Sequence, residues 1–272
     1  MIKIDDSGVG SPYLIDGDNE LGFFGEVEAE DLIWGKSLAA LLELEAGEML
    51  YDNQPWLKFI DKGVIKFVAK KPIKYNISWD QINELNLVYG EVQVVIKGYR
   101  YIVRLFQGAQ DEPTHWNPTA PNAQYDWLNT HRSEWNRLMY PIHESTPPSQ
   151  HIPNFEPPEF DLSDLDPNAY RLVYTRKMIT PGEELYLANY MTEYELYKYK
   201  ASLWRPYTNL ELNVADNFGR NTWCQETWAY NEDFRLQRGC DAVEFVTIRK
   251  RWEINQSYGW RPILELIGKE EE

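Results

Sequence analysis

The strongest constraint on the fold is a run of alternating apolar residues that predicts a β-hairpin between about residues 92 and 105. A Lys97-Gly98 pair divides the run, and such a pair is typical of the two-residue turns that join antiparallel strands. On both sides of this pair every second residue is apolar: Val92, Val94, Ile96, Tyr99, Tyr101, Val103 and Leu105. A period of two gives each strand one buried face, so the hairpin must belong to a sheet that lies on a core.

Other segments predict more strands and three helices. Strands are expected where short apolar runs are bounded by turn residues, at 22–27, 56–59, 64–68, 243–248 and 262–267. Helices are expected at 30–44, 78–87 and 133–140. The first opens with acidic residues, the second has a Ser78–Gln81 capping box, and the third should end before Pro141.

The chain is expected to form one domain with two appendages. Residues 1–29 are interpreted as an N-terminal arm and first strand, 30–267 as the domain, and 268–272 as an acidic tail. Within the domain, residues 144–168 carry six prolines among acidic residues. This composition predicts an extended insertion that is either a surface loop or an arm lying on a neighbouring molecule.

Charge and hydropathy exclude several functions. The chain has 27 Lys and Arg against 43 Asp and Glu, a net charge of −16, whereas nucleic-acid binding requires a basic surface. No apolar run approaches the roughly 18 residues of a membrane span. Carboxylates at Asp5 and Asp6 interrupt the place where a secretory signal has its apolar core, so folding in a cytoplasm is expected.

The sequence contains no familiar catalytic or metal-binding motif. A phosphate-binding Gly-rich loop, a Gly-x-Ser-x-Gly elbow and a His-Glu-x-x-His pair are all missing, and the four histidines have no shared spacing. No catalytic residue, metal site or cofactor is therefore expected. Cys224 and Cys240, sixteen residues apart, are interpreted as buried structural thiols, with a disulfide or a reactive pair as the alternatives.

Five segments, taken in order, carry a family resemblance. They are Leu-Gly-Phe-Phe-Gly-Glu-Val at 21–27, Trp-Leu-Lys-Phe at 56–59, Phe-Val-Ala-Lys-Lys-Pro at 67–72, Ser-Glu-Trp-Asn-Arg-Leu-Met-Tyr at 133–140, and Trp-Cys-Gln-Glu at 223–226 with Gly-Trp-Arg-Pro-Ile-Leu-Glu-Leu at 259–266. In this order they resemble a module of tailed-phage virion proteins, which often occurs at the C-termini of tail-fibre and other particle-surface proteins.

A second resemblance concerns the fold. The Trp-x-x-Glu stretch, the Arg238-Gly239 pair and the final Gly-Trp-Arg-Pro strand are similar to C-type-lectin-like domains of the formylglycine-generating-enzyme type. This implies an α+β fold with two main helices, small twisted antiparallel sheets and long irregular loops that carry the binding surface. The oxidases of that group have a copper-binding cysteine pair close in sequence, which Cys224 and Cys240 do not match, so only the fold is implied.

The resemblance implies a non-enzymatic virion structural protein displayed on the particle surface as a capsid decoration, collar or tail-associated protein. Its partners would be other virion proteins, copies of itself in a homo-oligomer such as a trimer, and a host-surface glycan. The alternatives are a receptor-binding tail-fibre protein, an enzyme that degrades surface polysaccharide, and a bacterial adhesin or regulatory binding module.

Aromatic and planar polar side chains of the late region are the candidate recognition surface, because rings stack on sugars and planar groups bond their hydroxyls. They are Trp223, Trp228, Tyr230, Asn231, Arg235, Trp252 and Tyr258, and the alternative is that about half of the rings are core. Structural roles are expected for Trp135 in the core and for Arg137 in a salt bridge. Arg261 is expected to pair with a buried carboxylate, with ligand binding as its alternative.

Overall fold

The computed structural model describes residues 9–109, 133–143, 207–227, 231–241, 243 and 246–270. The Pro-rich insertion predicted at 144–168 lies outside the described residues. Two β-sheets dominate the described part, and three short helices accompany them: α1 (Gly35–Leu41), α2 (Trp79–Asn83) and α3 (Glu134–Met139).

The larger sheet has seven strands, all antiparallel to their neighbours, in the order β1-β2-β4-β5-β13-β8-β7. These strands are β1 (Asp16–Gly17), β2 (Leu21–Val27), β4 (Trp56–Asp61), β5 (Val64–Ala69), β7 (Tyr89–Ile96), β8 (Tyr99–Arg104) and β13 (Ile263–Lys269). The predicted hairpin β7–β8 is confirmed, and the strands predicted at 56–59 and 64–68 form a second hairpin, β4–β5. Both turns use positive φ angles, 54° and 77° at Lys62-Gly63 and 51° and 78° at Lys97-Gly98. The final strand, β13, lies between the two hairpins and joins them into one sheet.

The smaller sheet has six strands in the order β11-β10-β9-β12-β6-β3, and only the β9–β12 pair is parallel. The strands are β3 (Glu48–Met49), β6 (Lys74–Tyr75), β9 (Asn221–Thr227), β10 (Phe234–Arg238), β11 (Val246–Lys250) and β12 (Tyr258–Trp260). The loop from β11 to β12 therefore leaves one edge of this sheet and returns to its interior.

The centre of the larger sheet is buried on both faces. All six positions of β4 are buried, and neighbouring side chains such as Trp56 and Leu57 belong to different apolar clusters. Since adjacent residues of a strand point to opposite faces, each face has its own core. Leu38 of α1 and Ile82 of α2 pack in the first cluster, and Leu138 of α3 packs in the second.

The predicted α+β, C-type-lectin-like fold with two main helices is wrong, because the described residues form a mostly β structure. The three helices have seven, five and six residues, too few to form a layer of their own. The helix expected at 30–44 is reduced to α1: the carbonyl of Glu28 closes a separate turn before it, and Glu43 follows it with a φ of 56°. A residue in the left-handed region ends a right-handed helix.

The helix expected at 78–87 is shortened for the same reason. Its capping box is confirmed, since the Ser78 hydroxyl accepts from the Gln81 N–H and the Gln81 side chain accepts from the Ser78 N–H. Asn86, however, has a φ of 58°, and α2 ends at Asn83. None of the helices in the described part of the chain is long and apolar enough to cross a membrane.

Candidate functional site

The predicted recognition residues do not form one surface. Trp228 and Tyr230 lie outside the described residues. Trp223 and Tyr258 are buried, and their ring centroids are 5.1 Å apart in an edge-to-face contact between β9 and β12. The indole N–H of Trp223 also donates to the carbonyl of Ile77 at 2.9 Å. These two rings are core residues and offer no face to a ligand.

Asn231 and Arg235 support the local structure. The Asn231 side-chain oxygen accepts from the backbone N–H of Asp233 at 2.8 Å and fixes the turn before β10. The Arg235 guanidinium lies 4.2 Å from the ring centroid of Trp79 and donates to the carbonyl of Glu232. Burial lowers the pKa of Arg235. Both side chains are engaged within the fold.

Trp252 is exposed. It lies in the loop of residues 251–257 between β11 and β12, which we call the aromatic loop. Trp252 is 47% exposed, and Ile254 in the same loop is 53% exposed. A tryptophan in this position presents a large flat apolar face to solvent, the type of face that stacks on the C–H side of a sugar ring.

The aromatic loop is fixed by hydrogen bonds to three parts of the fold. The Arg251 N–H donates to the Asp233 carbonyl at 2.8 Å, and the Arg251 carbonyl accepts from Asp80 at the start of α2 at 3.0 Å. At the other end of the loop, the Gln256 carbonyl accepts from Gly219 at 2.8 Å. Because the backbone is held on both sides, the loop is ordered before contact, which lowers the entropy cost of binding at Trp252.

The charges around Trp252 are mixed. The Lys250 ammonium lies 5.7 Å from the Trp252 ring centroid, within the range of a cation–π contact. Arg251 is shared between two carboxylates, with Nη1 3.6 Å from Asp80 Oδ1 and Nε 4.0 Å from Asp233 Oδ1. These partly exposed ion pairs position Arg251 and contribute little to stability.

A second group of charges lies where α3 meets the larger sheet. We call it the charge cluster: Asp61, Lys66, Arg104, Glu134, Arg137 and Glu265. Glu134 is buried and accepts hydrogen bonds from Arg104 at 2.7 and 2.6 Å and from Lys66 at 2.6 Å. Burial alone would raise the pKa of Glu134, but the two cations lower it well below its ordinary value.

The remaining members complete a balanced network. Arg137 binds Asp61 through Nε at 2.8 Å and Nη2 at 2.9 Å, and Lys66 reaches the same carboxylate at 2.7 Å. Glu265 of β13 is 2.7 Å from Arg104. Three carboxylates thus face three cations, and each is paired within the cluster. This arrangement fastens α3 to the sheet and is typical of a structural role.

Glu226 is a buried carboxylate of a different kind. One of its oxygens accepts from the Gly108 N–H at 3.0 Å, while Oε1 has no hydrogen-bond partner among the described residues. Burial raises the pKa of Glu226 to about 7. The sequence analysis did not single out Glu226, because its burial depends on contacts with a segment more than 100 residues earlier.

Both cysteines are free thiols, Cys224 buried and Cys240 half-buried. Burial raises the pKa of both, most strongly for Cys224, so each favours the unreactive thiol form. Trp135, which belongs with Cys224 to the second apolar cluster, is fully buried, and its indole N–H donates to the Val243 carbonyl at 2.8 Å. Trp135 and Cys224 are therefore part of the core, whereas Cys240 was wrongly expected to be a buried thiol, since it is only half-buried.

Arg261 is fully buried, but the described residues do not provide the carboxylate that was expected to pair with it. Its Nη2 donates to the Leu212 carbonyl, and its guanidinium lies 5.6 Å from the Trp135 ring centroid. Nε and Nη1 have no partner within the described part of the chain. Burial lowers the pKa of Arg261 to about 9. A carbonyl and an aromatic face therefore occupy the place predicted for a carboxylate.

Within the described ranges, no group of three or more His, Cys, Asp or Glu side chains is arranged to hold a metal ion. Comparison of the chain with models of protein families, with curated proteins and with solved structures found no match. The exposed aromatic loop is therefore the candidate functional site. Besides Trp252 it depends on Lys250, Arg251 and Ile254, which the sequence analysis did not include. The signal that could have found them is Arg-Lys-Arg at 249–251, the longest basic run in the sequence.

Proposed function

We propose that the chain is a non-enzymatic structural protein of a tailed-phage particle, displayed on the particle surface, where the aromatic loop contacts host-surface glycans. The observation that carries the glycan contact is Trp252, an exposed ring on a loop whose backbone is fixed at both ends. The virion role rests on the ordered sequence resemblance of five segments.

The positions of those five segments support a shared framework. They coincide with β2, β4, the end of β5, α3, β9 and the β12–β13 region, which are largely buried. Buried positions are the ones that a common scaffold keeps, so the resemblance concerns the scaffold and leaves the surface loops free to differ. A glycan-binding loop on such a scaffold is consistent with either a decoration protein or a receptor-binding protein.

The proposed partners are other capsid or tail proteins and copies of the same chain. Particle proteins assemble with closed symmetry, and a trimer is one form that fits a particle surface. The charge cluster suits such a component because it ties distant parts of the chain, α3, β4, β5, β8 and β13, through buried ion pairs.

Immunogold electron microscopy of phage particles, with an antibody to this chain, tests the virion role. Label on intact particles is expected, and its position separates capsid decoration from tail-associated receptor binding. Unlabelled particles from a lysate that contains the protein would refute the virion role.

Binding of the purified protein to host cells tests the glycan contact separately. Trp252→Ala should weaken binding, whereas Trp34→Ala should not. Trp34 is a matched control because it is 43% exposed, immediately precedes α1 far from the aromatic loop in sequence, and makes no side-chain capping hydrogen bond. Equal binding by wild type and both variants would show that the aromatic loop is not the contact.

A further inference from the structure

We infer that the aromatic loop selects saccharides that carry a carboxylate, with Trp252 stacking on the sugar ring and Lys250 pairing with the acidic group. This inference rests on the proposed glycan contact and adds the chemical class of the ligand.

The loop follows a concentration of positive charge that is unusual for this chain. The net charge is −16, yet residues 249–251 are Arg-Lys-Arg and lead directly into Trp252. Arg251 is occupied by Asp80 and Asp233, and Arg249 donates through Nη1 to the Ile248 carbonyl. Arg251 therefore lies near two carboxylates, whereas Arg249 bonds back onto its own strand.

Lys250 is the exposed member of this basic run, whereas Arg249 and Arg251 are half-buried. Lys250 lies at the end of β11, and among the described residues no carboxylate oxygen lies within 4 Å of its Nζ. The ammonium lies over the Trp252 ring, 5.7 Å from the ring centroid. The cation–π contact holds it over one face of the ring, and because none of the described carboxylates pairs with it, the ammonium can pair with an anion.

This geometry fits one kind of sugar. A pyranose that stacks on the indole face opposite the ammonium places its ring substituents outward, beyond the edge of the aromatic plane. The lysine stem has four carbons and rotates freely, so the ammonium can follow a carboxylate there. A neutral sugar would use Trp252 alone. The negative net charge of the protein repels anions in general. An acidic sugar is therefore held only where it combines stacking on Trp252 with an ion pair to Lys250.

The expected selectivity is modest because the ion pair is exposed. An exposed pair of this kind changes binding by about two- to fivefold at low salt, and salt screens the effect. Stacking on Trp252 should be required for both acidic and neutral sugars, whereas Lys250 should matter for acidic sugars alone.

The test is an NMR titration of the full chain with methyl glucuronoside and with methyl glucoside, which differ by the carboxylate. Wild type should bind the acidic sugar about two- to fivefold more tightly at low salt. Lys250→Gln should remove this preference without weakening the neutral sugar, and Trp252→Ala should lose both. Lys269→Gln is the matched control, since Lys269 is also exposed and lies 5.9 Å from the Tyr99 ring centroid, on β13. That variant should keep the preference.

The outcomes separate the two proposals. Equal affinity of wild type for the two sugars, with both lost in Trp252→Ala, would overturn the acidic preference and leave the glycan contact standing. A preference that survives Lys250→Gln would also overturn the role of Lys250. Binding of neither sugar would refute both the preference and the glycan contact at this loop, while the virion role would still be decided by particle labelling.

Discussion

Replacing Glu226 with Gln should make the protein more stable at neutral and alkaline pH. Burial raises the pKa of this carboxyl from 4.5 to about 7, and that difference corresponds to about 3 kcal/mol. Since the folded pKa lies above the unfolded one, the protonated group stabilises the fold fully below pH 4.5. That contribution declines as pH rises and is lost above about pH 7. Gln cannot ionise and therefore avoids the loss.

The assay is urea unfolding followed by fluorescence at several values from about pH 4.5 to about pH 8. The difference in free energy of unfolding between the variant and the wild type is measured at each pH, and its change with pH is the informative quantity. The buried amide of Gln adds an offset to this difference, but that offset does not vary with pH. Groups that titrate in both proteins cancel in this difference. The variant should gain about 3 kcal/mol of unfolding free energy relative to the wild type between about pH 4.5 and about pH 8. Glu91→Gln, on an exposed position of β7, controls for removal of a charge.

Parallel stability curves for wild type and Glu226→Gln would refute the argument. That result would mean that the carboxylate is solvated in the native state or that a cation reaches it.

Three further predictions follow from the buried groups. Glu134→Gln should destabilise the protein by about 3–5 kcal/mol at neutral pH, because it leaves Arg104 buried without its main partner; unfolding in urea would show it. In wild type, the contribution of Glu134 should be present above its unfolded pKa of 4.5 and lost as pH falls. Arg261→Met should change thermal stability little, because the removal of an unpaired buried cation is offset by the lost hydrogen bond to the Leu212 carbonyl; a loss of about 3 kcal/mol or more would reveal a counter-ion. Because it is half-buried and has a raised pKa, Cys240 should react with a thiol reagent in the native protein more slowly than a fully exposed thiol, whereas Cys224 should react only after unfolding, as peptide mass mapping over time can establish.

The sequence predicted the parts of the fold that depend on neighbouring residues. The β7–β8 hairpin follows from alternation around Lys97-Gly98, and the start of α2 follows from the Ser78–Gln81 capping box. The helix lengths were wrong because Glu43 and Asn86 take positive φ angles: Glu gives no signal of this, whereas Asn is a residue type that favours the left-handed region and could have marked the end of α2. The placement of β13 between two distant hairpins is a long-range contact that local patterns do not contain.

The candidate site was predicted only in part, because the burial of an aromatic ring also depends on long-range contacts. Trp223 was expected on the surface, but β9 is buried at every position except its last, since both faces of the sheet are covered there. Alternation then provides no exposed face, and a buried ring looks the same in sequence as a binding ring. Trp252 differs because it lies in a loop after a basic run, where a large ring has no strand face to fill.

Glu134 and Glu226 show what controls the charge of a buried carboxylate in this protein. Each accepts a hydrogen bond from one of two consecutive backbone amides, Gln107 at 3.1 Å for Glu134 and Gly108 at 3.0 Å for Glu226. Both side chains are buried. In each of them burial raises the pKa of the carboxyl and the backbone donor lowers it, so neither effect distinguishes the two residues. The pKa of Glu134 is nevertheless lowered and that of Glu226 raised. The difference between them is that Arg104 and Lys66 form ion pairs with Glu134 and not with Glu226. Pairing with cations therefore decides which carboxylate is ionised.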